Sequence, residues 1–143
     1  MAQQPQTYKN HPRFDPLFHF FLGPVAMLMV IATIVECVRN PGWMTGAHIL
    51  VALWALVATF KIRLYALKVQ DRVIRMEERL RLKEVAPVLG EKIGDLTADQ
   101  LIGLRFASDA EVAGLAAQAL AGNWKRKQIK EAVKNWRADY WRV

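Results

Sequence analysis

The sequence predicts an all-α membrane protein: a two-helix transmembrane hairpin whose second helix extends into the cytoplasm, followed by a small bundle of short helices. Three observations carry this expectation. Leu17–Val38 is a 22-residue run that is almost wholly apolar. From Gly46 to Glu84 the chain runs 39 residues without a proline or an internal glycine, and its character changes partway. Ala47–Phe60 holds no charged residue, whereas Gln70–Glu84 is dense with both signs. This segregation lets 53% hydrophobic content coexist with a mean hydropathy of only +0.07. Seventeen of the 20 Lys and Arg lie from Lys61 onward against 11 of the 13 acids, which leaves that part at +6.

Residues 1–16 read as a cytoplasmic or interfacial N-terminal segment. They are polar, carry Lys9 and Arg13, are broken by Pro5, Pro12 and Pro16, and show no cleavable-signal pattern. The hairpin follows over residues 17–67. Its first leg, 17–38, spans about 33 Å as a helix, enough for a hydrocarbon core of about 30 Å. Asp15 suits its cap and Pro16 its first position. Gly23-Pro24 predicts a kink. An outer turn is expected over 39–46, with two glycines and a proline. The second leg, 47–67, reaches spanning length only if Lys61 and Arg63 snorkel toward headgroups. Trp43, Lys61, Arg63, Tyr65 and Lys68 are therefore the expected lipid headgroup and interface residues. Cations crowd the flank after the second leg, while the turn holds only Arg39. The positive-inside rule then places both termini in the cytoplasm and the turn outside.

Residues 68–84 read as a cytoplasmic extension of the second helix. Ile62, Tyr65, Val69, Val73, Met76 and Leu80 recur in steps of three and four, one apolar stripe close to a heptad seam. It should project roughly 25 Å past the hydrocarbon. The expected occupant of this stripe is the chain's own C-terminal helices, and after them a second copy or a partner subunit. Asp71 with Arg75 and Glu77 with Arg81 are spaced as favourable helical ion pairs. Residues 85–143 read as a basic helical domain opened by the helix breakers Pro87 and Gly90. Thr97 to Gln100 and Ser108 to Glu111 fit capping boxes. They predict helices through about Phe106 and about Ala121, and a third from Trp124 to Tyr140. On that third helix Lys125, Arg126, Lys127, Lys130 and Lys134 form a basic face for phospholipid or solvent.

Chemistry is sparse. There is no nucleophile motif, Gly-rich phosphate loop or Cys/His cluster. A haem reading fails on topology, because His19 and His48 fall at opposite ends of the hairpin and His11 precedes two prolines. Glu36 and His48 both sit just inside the turn, a polar couple expected to pair with each other or with water. Cys37 is the only cysteine, so no intrachain disulfide forms. A helix-turn-helix reading lacks residues for base contacts, and nucleic acid is disfavoured. No enzyme activity, cofactor or metal is expected.

Four stretches carry a resemblance: Lys9–Phe20 (KNHPRFDPLFHF), Arg63–Leu82 (RLYALKVQDRVIRMEERLRL), Leu104–Glu111 (LRFASDAE) and Lys134–Tyr140 (KNWRADY). Through them the chain resembles an uncharacterised family of small bacterial membrane proteins, classed as a domain of unknown function. The resemblance covers nearly the whole chain and implies a bacterial inner-membrane protein with two spans. It brings no catalytic residue. The expected function is a non-catalytic accessory or scaffold subunit of a larger membrane complex, with anionic lipid headgroups and other membrane subunits as partners. The alternative is a self-assembling membrane protein whose basic arm binds anionic lipid or nucleic acid.

Overall fold

The computed structural model describes residues 5–10 and 14–140. Every regular element among them is helical. The chain runs through a π-turn at Phe18–Leu22, α1 (Gly23–Arg39), α2 (Trp43–Val85), a 3-10 segment (Pro87–Asp95), α3 (Ala98–Leu104), α4 (Asp109–Ala121) and α5 (Arg126–Ala132). It divides into two compact units. One holds residues 14–68, and the other holds 69–143 together with 1–13.

In the first unit the helix begins as the local sequence requires. The Phe18 amide donates to Asp15 Oδ1 at 3.2 Å, the capping bond expected of an aspartate just ahead of Pro16. The expected kink at Gly23-Pro24 takes the form of a π-turn. Pro24 has no amide to return to the preceding turn and its ring needs room there. The chain widens by one residue, and Gly23 N–H donates to Phe18 O. The connection to α2 is shorter than the 39–46 turn read from the sequence. α2 starts at Trp43, so Thr45 and Gly46 lie in its first turn. Thr45 Oγ1 donates to Asn40 O at 3.1 Å and Gly42 O at 2.8 Å. The hydroxyl thus meets two carbonyls there, and the helix begins four residues early. Within this unit only Ala26, Val30 and Ala52 are buried, and most large apolar side chains face outward.

The second unit has a conventional core. Leu82, Leu89, Ile93, Leu96, Leu101, Leu104, Val112, Ala116 and Ile129 form one buried cluster. α2 ends before Pro87, and Gly90 turns the following 3-10 segment with φ +51°. Thr97 and Gln100 form a reciprocal capping box at the start of α3. The Gln100 side chain also donates to Ala119 O at 2.9 Å, which fastens α3 to α4. Gly103 lets α5 cross closely: a Cβ there would lie 3.1 Å from Ile129 Cβ.

α5 is shorter than the helix predicted to Tyr140. It stops at Ala132 because the next amides find other acceptors. Glu111 takes Asn135 N–H at 3.0 Å and Lys134 N–H at 3.2 Å. Beyond them Arg137 N–H donates to Phe106 O and Ser108 N–H to Asn135 O, which makes an isolated antiparallel bridge between Ala107 and Trp136. The Trp136 ring lies 4.9 Å from Phe106. Gln6 exchanges two 3.0 Å hydrogen bonds with the Asp139 backbone, so the N-terminal segment belongs to this unit as well.

Candidate docking surfaces

α2 carries two opposite faces in its last part. At 100° per residue, Ile74, Glu78 and Leu82 fall on one side and Val69, Val73, Met76 and Leu80 on the other. The first side is buried. The second is exposed, at 62%, 47%, 60% and 61%. Ile62 and Tyr65 are exposed too. The stripe therefore does not dock on the chain's own C-terminal helices, as first expected; those helices cover the other face.

That face is held by an ionic node that periodicity does not reveal. Arg81 donates to Glu78 Oε2 at 2.9 Å, to Asp109 Oδ1 at 2.6 Å and to Ala107 O at 2.7 Å. Arg137 reaches Glu78 Oε1 at 3.3 Å. Arg81 thus pairs three residues back with Glu78 rather than with Glu77, because its guanidinium is drawn to the start of α4. Burial raises the Glu78 carboxyl above its ordinary range, against the opposing pull of Arg81 and Arg137. A buried Glu inside an otherwise apolar face interrupts the hydrophobic pattern, so the sequence shows the exposed stripe more clearly than the buried one.

Around the apolar helices, Trp43 and Lys68 are exposed. Lys61 Nζ sits 5.7 Å from the Tyr65 ring centroid. Arg63 differs from the expected snorkelling cation. Its guanidinium meets Asp15 Oδ2 at 3.1 Å and lies over the Phe18 ring at 5.3 Å, and its side chain is only 12% exposed. Phe18 meets Phe60 edge-on at 5.6 Å. Glu36 and His48 are both exposed, and no hydrogen bond joins them. His19 Nδ1 lies 2.8 Å from Asp15 O. His11 and Arg13 lie outside the described residues. No group of three or more His, Cys, Asp or Glu able to hold a metal occurs among the described residues.

The basic face is partly neutralised. Asp99 accepts from Arg126 Nε at 2.8 Å and from its amide at 2.9 Å. Lys127 lies 3.9 Å from Glu131, and Lys130 stands over Phe106. Lys125 and Lys134 are exposed. Tyr8, Asp99, Lys125, Arg126, Lys127 and Lys130 line a cleft of about 360 Å³. Tyr8 OH donates to Glu131 at 3.2 Å, so the N-terminal segment forms one wall. A larger open groove of about 860 Å³ runs past Val88, Leu89, Lys92, Gln100, Ala113 and Leu120. Sequence reasoning missed Tyr8, whose only signal was an aromatic in a polar leader.

A model of a family of unknown function, DUF6526, matches residues 1–143. Neither a curated protein nor a solved structure matches the chain.

Proposed function

The chain belongs to the DUF6526 family along its whole length, and from that premise we propose a non-catalytic, membrane-anchored accessory or scaffold subunit of a larger bacterial membrane complex. Phe18–Arg39 and Trp43–Val85 are long and apolar enough to cross a membrane. A core helix of a soluble protein would be mostly buried, whereas only 11% and 6% of their apolar windows are. Lipid is the solvent that suits such surfaces. The short connection at 40–42 and the Asp15–Arg63 bridge favour a hairpin, with Arg63 neutralised where it leaves the hydrocarbon. The excess of cations after the second leg favours cytoplasmic termini and an inner-membrane location.

The observation that carries the scaffold reading is the apolar face at Val69, Val73, Met76 and Leu80, exposed although the chain's own helices occupy the opposite side. An apolar stripe flanked by polar residues marks an interaction surface. Gentle extraction from native membranes, followed by mass spectrometry of what stays bound, tests this. Stoichiometric membrane-protein partners are expected; a lone monomer in mild detergent would contradict it.

The cleft lined by Lys125, Arg126, Lys127 and Lys130 favours a second reading, in which the basic arm binds anionic lipid or nucleic acid. Protein in zwitterionic nanodiscs would be titrated with anionic vesicles or single-stranded RNA. Binding that falls steeply with salt supports this reading, and salt-insensitive binding removes it.

A further inference from the structure

The charges beside the exposed stripe are sorted by side. Arg72 and Arg79 flank it on one edge, and Glu77 and Glu84 on the other, at 100° per residue. All four are exposed, and none forms an ion pair with a described residue. The apolar positions Val69, Val73, Met76 and Leu80 step by four, three and four. They take the d, a, d and a places of two successive heptads, which puts Arg72 and Arg79 at g and Glu77 and Glu84 at e. From Arg72 to Glu77 is five residues, and so is Arg79 to Glu84. That is the offset at which a g side chain meets the e side chain of a parallel partner helix.

Symmetry then selects the occupant. A two-fold axis along the helices brings the basic edge of one copy against the acidic edge of the other, on both sides of the seam. An antiparallel pair would bring basic against basic and acidic against acidic. We infer that this face of α2 pairs with the same face of a second copy, parallel and in register, through Val69, Val73, Met76 and Leu80 with Arg72–Glu77 and Arg79–Glu84 pairs across the seam. A β-branched Val73 at an a position suits a two-stranded pair, and Lys83 at the next d position ends the seam. Two heptads are short for a free coiled coil. The inference rests on the membrane reading above, since two anchored copies share one orientation and meet at high effective concentration.

The test uses the full chain in its membrane. Arg72→Glu with Arg79→Glu, and separately Glu77→Arg with Glu84→Arg, turn every cross-seam pair repulsive. Each double variant should lose homodimer by about 10-fold or more relative to wild type. Mixing the two, or combining all four changes in one chain, should restore it. In a Cys37→Ser background, Val73→Cys and Leu80→Cys should each give a covalent dimer on oxidation, as facing a positions require. Circular dichroism verifies that the charge variants fold, because the changed residues are exposed. Wild-type dimer in both charge variants, no rescue on mixing, or disulfides formed only with a different protein would overturn the inference. Two differently tagged copies that fail to co-purify, while other subunits do, would sink the dimer and leave the scaffold reading standing. A dimer that forms in an alkali-soluble fraction would support the pairing and overturn the membrane reading.

Discussion

Where α5 crosses α3, a Cβ on Gly103 would meet Ile129 at 3.1 and 3.2 Å, tighter than ordinary van der Waals contact, so the crossing helix would have to give way. Gly103→Ala is expected to destabilise the C-terminal unit by about 1–3 kcal/mol, read from the urea midpoint. At Glu78 the sign of a pH effect follows from burial. Its folded-state pKa is raised above the ordinary 4.5, so the folded chain holds the proton more readily than the unfolded one. The contribution of this group to stability is greatest at and below 4.5. It declines as pH rises through the window between 4.5 and the raised value. Glu78→Gln should remove that slope, seen as a wild-type-minus-variant difference in urea midpoint that shrinks as pH increases from 4.5. Neither residue stands out in the sequence. A glycine inside a short helix and a glutamate among charged neighbours look ordinary until the crossing helix and the arginines are placed against them.

At the scale of elements, the boundaries legible in the sequence are those with a local cause. Asp15-Pro16 starts the first apolar helix, Pro87 stops α2, and the Thr97–Gln100 box opens α3, because each depends on backbone groups within a few residues. Boundaries that depend on distant partners are not legible there. The third C-terminal helix was expected to reach Tyr140, but Glu111 captures the amides of Lys134 and Asn135 and Phe106 stacks with Trp136. Glu111→Ala should therefore free the segment after Ala132. Amide exchange at Lys134, Asn135 and Arg137 should quicken by about 10-fold, matching about 1–2 kcal/mol of lost hydrogen bonding, while α4 stays protected. The stripe on α2 teaches the same lesson. Period alone marks an apolar face; it does not say what covers it. Here the covered face is the one with a buried glutamate, and the continuous apolar one stays open.

For the whole molecule, one unit holds two apolar helices with outward-facing side chains, and the other buries a helical core of its own. Among the described residues no group of three or more His, Cys, Asp or Glu could hold a metal, and the candidate features are surfaces: a basic cleft and an apolar face on α2. The central proposal is that this face is where the protein assembles in the membrane. Val73→Asp with Leu80→Asp places charge on both a positions without touching the buried face. The most direct measurement is the mass of the particle extracted from native membranes in mild detergent, wild type against this double variant, alongside its resistance to alkaline extraction. The expected result is a variant that stays in the membrane and whose particle shrinks to the monomer. An unchanged particle mass would contradict the proposal.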